Sequence, residues 1–532
     1  MVARFRLQNF IQNDSGGRAR NRRDVKKMKV QAANKKSGLT DAAKQTAISG
    51  GLFAAACLLG AAIITVGGNS FSQTAAFGVL AVLAIGGILC LVLELPLITV
   101  VRFAFIASFF FKGEINLYKL DEVEDPSGFN LSLTLLTGVI LLIYDQFDDT
   151  QTKEKIFPTA FSFLIIALLF CAVASVLYSG SNMLGWFSVW SFLTSVLTAY
   201  IIASHFSRRE RLIQLLVGIG GGLLLTGIIS ASQYALDFPT NLAFFGTGTE
   251  DEMIGTQSVA LSRVPGFLRT PTEMAWVIST FIPLVVAPLV CRVKDFSAKY
   301  KIYLLTAAML GIVAVILSLA RGSWISMVAA IAVLVTFGWL RLSKTERKSY
   351  IASVGGGLVF ASLLLSPFAG RIYERLSADD DGSALVRVPL METAFRMIED
   401  NPLVGVGLNE YRTAMTKYDE TESFVSQVFP NPVHNVFAHI TAEVGIPGGI
   451  IFCLLLVFGL FECFKTMTSH DRLLFAFGLG ATAAVIAFVI SGMKEPGSLG
   501  SGRPPLRTCF FLLGTILAIS RIRQGSRFRV SG

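Results

Sequence analysis

Two arginines and a pair of histidines stand out because the residues around them are almost all apolar. Arg263 lies in Ser262-Arg263-Val264-Pro265-Gly266-Phe267, just ahead of an apolar stretch beginning near 271. Arg321 lies in Ser318-Leu319-Ala320-Arg321-Gly322-Ser323, with almost no polar linker between two apolar stretches. A guanidinium so placed sits at a membrane boundary and needs an anion or a route to the headgroups. Singly, Arg321 could reach lipid phosphates and Arg263 a loop carboxylate such as Glu250 or Asp251. Held in one compartment, two planar forks of donors suit a pyrophosphate. His434 and His439 fall in Asn431-Pro432-Val433-His434-Asn435-Val436-Phe437-Ala438-His439. Their spacing of five and the absence of an HExxH pattern argue against zinc. One histidine should face the site and the other pack; a neutral imidazole can take a proton from a hydroxyl.

The elements that must position these residues follow from composition. The chain has 532 residues, 53% hydrophobic and 15% charged, which describes a membrane protein. Stretches of roughly 20 apolar residues recur from residue 47 onward. Expected spans are 47–66, 75–94, 96–111, 128–144, 157–178, 184–204, 211–233, 271–291, 302–319, 321–340, 350–369, 445–464, 473–491 and 506–520. The reading is an all-α, polytopic bundle of fourteen spans, or twelve if one pair is re-entrant. Domains follow as a basic cytoplasmic arm (1–46), transmembrane helices (47–369), a long loop on the outer side (370–444), C-terminal transmembrane helices (445–520) and a basic cytoplasmic tail (521–532).

The net charge of +10 is a topological signal. The arm holds twelve Lys and Arg, and Arg521, Arg523, Arg527 and Arg529 follow the last span. Basic flanks mark the inside, so both termini are expected in the cytoplasm. No aromatic residues interleave with Arg18 to Lys36, so nucleic acid is not expected as a partner. Loops at Ser207–Arg211, Arg292–Lys301, Arg341–Lys348 and Lys465–Arg472 are basic, whereas Asp145–Lys155, placed on the same side, is acidic. His205 and His470 fall at cytoplasmic ends, where a solvated histidine is the ordinary outcome. In the 370–444 loop, Val386, Leu390, Ala394, Phe395 and Ile398 follow a helical period, predicting amphipathic helices on the membrane surface.

Other features carry structural readings. The seven cysteines form no CxxC pair and suit packing. Gly218 and Gly222 form a GxxxG suited to close helix approach, and Asp379–Asp381 suits an exposed turn better than a cation site. No internal repeat supports a transporter, and Glu94, beside Pro96, is nearly the only mid-span ionisable candidate for one. A receptor or scaffold would leave the arginine and histidine cluster without a reason.

The ordered motifs resemble the O-antigen ligase and polymerase family of bacterial membrane glycosyltransferases. His434-Asn435, nine residues, Gly445, two residues and Gly448-Gly449 are similar to a family element, with Gly449 departing from the usual Thr. Asn401-Pro402-Leu403-Val404-Gly405-Val406-Gly407, preceded by Arg387, looks like a second; Ser318–Ser323 and Arg263–Met274 are similar to two arginine-bearing elements. The resemblance implies inverting, metal-independent transfer of a glycan from undecaprenyl pyrophosphate to a sugar hydroxyl at the periplasmic face of the inner membrane, without cofactor. Arg263 and Arg321 would hold the pyrophosphate, His434 would be the base, and Arg387 would contact phosphate or acceptor. Asn435 and His439 complete the expected substrate-binding set. A surface-polysaccharide polymerase is the leading expectation; a ligase to lipid A core or protein is the alternative. Expected partners are the lipid-linked donor, the glycan acceptor, membrane lipids, a flippase and a chain-length regulator.

Overall fold

With no water in a bilayer core, each spanning segment must satisfy its backbone internally, and the long apolar runs accordingly form helices. The computed structural model describes residues 96–110, 114–119, 128–147, 156–180, 183–236, 263–268, 270–377, 383–499 and 504–528. The helices are α1 (Leu97–Phe110), α2 (Leu133–Gln146), α3 (Thr159–Ser179), α4 (Met183–His205), α5 (Arg209–Leu236) and α6 (Pro271–Val290). Next come α7 (Ala298–Leu317), α8 (Arg321–Arg341), α9 (Lys344–Leu365) and, after a 3-10 turn at Ser366–Phe368, the short α10 (Ala369–Ser377). The long loop holds α11 (Ser383–Asp400), α12 (Tyr411–Tyr418) and α13 (Val425–Val428); α14 (Val436–Met467), α15 (Arg472–Gly492) and α16 (Pro504–Phe528) complete the chain.

Ten helices among the described residues are long and apolar enough to cross a membrane, and α1 and α2 are shorter apolar helices. Each expected span from 96 onward therefore meets a helix. The arm 1–46, the spans 47–66 and 75–94, the acidic run at 379–381 and Glu94 lie outside the described residues. One boundary needs correction, because residues 128–132, expected as helix, form a strand. β1 (Glu114–Lys119) pairs antiparallel with β2 (Gly128–Ser132). Tertiary contacts hold β2 extended: Trp190 Nε1 donates to Asn130 O at 2.8 Å and Phe129 meets Phe187 edge-on. Ser132 then starts α2 by accepting the Leu135 N–H.

Lipid tails are as apolar as leucine, so helix association here depends on close packing and polar contacts. α15 supplies both. A Cβ at Gly480 would lie 2.9 Å from Ala287 Cβ on α6, and one at Gly478 would lie 3.1 Å from Cys463 O on α14. Ser326 of α8 donates toward Ser279 of α6 at 3.4 Å and accepts from Ser491 of α15 at 2.9 Å. The GxxxG expectation holds, with Gly218 and Gly222 admitting Ile106 and Phe110 of α1. From Ile351 to Leu365, α9 buries none of its described side chains, as a helix bordering lipid does.

Helix alternation places Arg263, Arg321 and His434 at one end of the bundle and the basic loops at the other. The basic end is braced by its own carboxylates. Arg209 bridges Asp471 (2.7 Å) and Asp295 (2.9 Å), Arg472 meets Glu346 (2.8 Å), and Glu462 accepts from Lys465 and Arg523. His205 departs from the solvated expectation, because it is fully buried. Its Nδ1 lies 2.7 Å from Asp145 Oδ1, and Arg102 Nε donates to its Nε2 at 2.8 Å, which assigns a neutral ring carrying its proton on Nδ1. Arg211 also reaches Asp145, at 3.3 Å. Asp145, near the end of α2, is thus a counter-charge to buried Arg211, and residues 148–155 of the acidic loop lie outside the described residues.

In α11, Leu390, Ala394 and Met397 form the buried stripe, while Phe395 is exposed. Phe395 belongs to the outer face because Met397 continues the seam that packs with Tyr411, Met415, Val425 and Val433. The large loop therefore has a core of its own, seated on α14 through Ala442.

Candidate active site

The cationic part of the site is built on the turn between α7 and α8. Gln233 of α5 exchanges hydrogen bonds with both backbone groups of Gly266, at 3.0 and 3.1 Å. That grip fixes the Pro265-Gly266 turn, where Gly266 is left-handed with φ +62°, and sets Arg263. Arg263 Nε donates to Ser318 O at 2.8 Å. Arg375 of α10 donates to the next carbonyl, Leu319 O, at 3.2 Å. Leu319 is itself left-handed, with φ +55°, which turns the chain sharply into α8. Arg321 is the first residue of α8, and Ala320 before it provides no side-chain cap. Ser323 N is taken by Ala320 O at 3.0 Å, which leaves the Arg321 and Gly322 amides and the positive end of the helix dipole at this turn, a setting that favours an anion. Arg371 lies over the Tyr234 ring at 4.5 Å, and Tyr234 meets Phe368 edge-on, which docks α10 onto α5.

The histidine part is built by capping. Asn435 takes the N-cap of α14, its side-chain oxygen accepting from Phe437 N (3.0 Å) and Ala438 N (3.1 Å). Its side-chain oxygen is thus committed to starting the helix. The cap holds His434 just outside the helix, between buried Val433 and Val436. His434 is half-buried with its ring 5.9 Å from that of Phe429. His439, by contrast, is only 5% exposed, with Nε2 3.2 Å from Glu443 Oε1 and its ring 4.8 Å from Tyr411. Of the two histidines, His439 is the one that packs, and it braces Glu443.

Glu443 organises this region. Its carboxylate, 1% exposed, accepts from Asn409 N at 3.2 Å and from the Ser498 hydroxyl, and also meets His439. Its backbone oxygen accepts from Ser175 Oγ (2.6 Å) and Gly407 N (3.2 Å). Gly445, at φ +78°, interrupts α14, and the freed backbone groups are taken up by the Pro402–Gly407 segment. Val406 N donates to Ala442 O at 2.9 Å, and Ile446 N to Pro402 O at 2.8 Å. This docking explains both glycine motifs. A Cβ at Gly405 would strike the Glu443 carbonyl, one at Gly445 would strike Leu403, and both residues are left-handed. Gly405→Ala is expected to cost on the order of 3 kcal/mol or more, read as a lowered melting temperature of the full-length protein in detergent; an unchanged melt would remove the docking account.

Three contacts tie the two parts together. Val436 packs where Cβ atoms at Gly492 and Gly497 would sit, 2.9 and 2.8 Å away, with Trp276 beside Gly492. Ser491, preceding Gly492, bonds Ser326 in α8. Lys494, between those glycines, lays its side chain against Gly322, the neighbour of Arg321. Arg263, Arg321 and His434 are thereby gathered at one end of α6, α8, α14 and α15. Arg387 is exposed on α11, and among the described residues it has no hydrogen bond or ion pair joining it to that group.

Residues 306–453 match the family model described as O-antigen ligase. That segment is similar to the O-antigen ligase family. No curated protein matches the chain. The matched segment contains Arg321, Arg387, His434 and Glu443, whereas Arg263 and Lys494 lie outside it and are added by the fold.

Arg375 and Lys494 escaped sequence reasoning around the O-antigen ligase motifs. The available signal was their side: both are cations in segments that helix alternation places opposite the basic loops. Glu443 offered no such signal, because an acidic residue four positions after a histidine is common on helices.

Proposed function

We propose that the protein is a membrane glycosyltransferase that joins glycan units carried on undecaprenyl pyrophosphate, and that it acts as a surface-polysaccharide polymerase. The observation that carries this reading is the convergence of Arg263, Arg375 and the first turn of α8, which has no side-chain cap, on the Arg321 turn, at the end of the bundle where His434 stands just before the N-cap of α14. Phosphate oxygens would take the guanidinium donors and the amides. The acceptor hydroxyl would lose its proton to His434 as its oxygen attacks the anomeric carbon. The bond from that carbon to the pyrophosphate oxygen breaks as the new glycosidic bond forms, and its electron pair leaves with the lipid pyrophosphate. A single displacement inverts the anomeric centre. Preorganised cations stabilise charge as it grows on the leaving group, which lowers the barrier more than it tightens substrate binding.

The basic opposite end supports a cytoplasmic orientation for that face and a periplasmic one for the site. Metal independence belongs to the same proposal. Exhaustive EDTA treatment of the purified protein is expected to leave transfer from the lipid-linked donor within about twofold of the untreated rate. A loss that Mg or Mn restores would overturn the metal-free mechanism.

The polymerase assignment is tested by the glycans of a deletion strain. Single repeat units accumulating on lipid support it; long chains left on lipid would instead assign attachment to lipid A core or protein.

A further inference from the structure

We propose that Lys494 is a further phosphate-contacting residue of the donor site, standing between Arg321 and the His434 helix; this rests on the reading of the site as a pyrophosphate pole. The loop after α15 is fixed at both ends. Ser491 bonds Ser326 of α8 at 2.9 Å, and Ser498 donates to Glu443 of α14. Lys494 lies between these anchors, its N–H closing the end of α15 on Ser491 O at 3.0 Å. Its stem crosses to the first turn of α8, where a Cβ at Gly322 would lie 3.1 Å from Lys494 Cδ and 3.5 Å from its Cβ. The absence of a side chain at Gly322 therefore makes the room that Lys494 occupies.

At the opposite end of the bundle Lys465, Arg209, Arg472 and Arg523 all have carboxylate partners. Among the described residues no carboxylate pairs with Lys494, although it is half-buried. An ammonium whose stem lies against Gly322, the neighbour of Arg321, is suited to an anion as a point charge, complementing the planar guanidinium forks.

The test is binding of undecaprenyl pyrophosphate to the full-length protein in detergent, alongside kcat and KM for a lipid-linked donor. Lys494→Met is expected to weaken binding about tenfold and Lys494→Arg to stay within about threefold of wild type. Gly322→Ala, whose methyl meets the lysine stem, should weaken binding in the wild type and add nothing to Lys494→Met. Wild-type binding by Lys494→Met, with Arg321→Lys still impaired, overturns the lysine's role and spares the pole. Wild-type binding by both variants overturns the pole and the lysine together. Equal losses in the Met and Arg variants with a lowered melting temperature would make Lys494 a packing residue and overturn the proposal.

Discussion

His434→Ala is expected to leave a folded, membrane-inserted protein whose transfer rate falls about 10²- to 10⁴-fold, the usual contribution of a positioned general base. The structure supports the first half of this expectation. His434 lies outside α14, while the cap belongs to Asn435 and the anchoring contacts to Val433 and Val436. Removing the ring therefore leaves the helix start intact. Two controls sharpen the result. His439→Ala should act differently, lowering the melting temperature, because it strips a buried partner from Glu443 and Tyr411. In a purified assay, the acidic limb of the rate profile should also disappear with His434, since protonation of the imidazole would no longer be what switches the base off. Full turnover by His434→Ala would remove it from the mechanism.

Arg321→Lys keeps the charge and tests the fork. Transfer is expected to fall about 10²-fold in kcat, with a smaller change in KM, because the donors that matter most are those engaging charge as it develops on the leaving pyrophosphate. A lysine at that position supplies a single ammonium and cannot meet two phosphate oxygens in the bidentate manner of a guanidinium. Stability should change little, since α8 is held to its neighbours further along, where buried Ser326 meets Ser279 and Ser491. Wild-type kcat and KM together would count against a phosphate clamp, whereas an unchanged kcat with a large rise in KM would reduce Arg321 to a binding group.

The membrane architecture was legible because the bilayer imposes it locally. An apolar run of about 20 residues can satisfy its backbone in lipid only as a helix, and α3 through α9 follow from the runs that predict them. Rules of that kind fail where satisfaction comes from elsewhere in the chain. Residues 128–132 look like the start of a span, yet Trp190 and Phe187 on α4 hold them as a strand. His205 looks like a loop-end histidine, yet Asp145 and Arg102, remote in sequence, make it a buried neutral ring.

The same division runs through the arginine and histidine cluster. The sequence alone determined that Arg263, Arg321 and His434 share one side, because helix parity and loop charge need no tertiary contact. The glycine motifs were visible as patterns, but their purpose lies in a backbone docking between 402–407 and 442–446 that no local spacing specifies. Only the tertiary structure decided that Arg263 grips the carbonyl of Ser318, that Arg375 and Lys494 join the same turn, and that His439 faces inward. Each depends on which distant backbone group or small residue happens to lie within a side chain's reach. That is set by how the helices pack and is not encoded in the neighbours of any one residue.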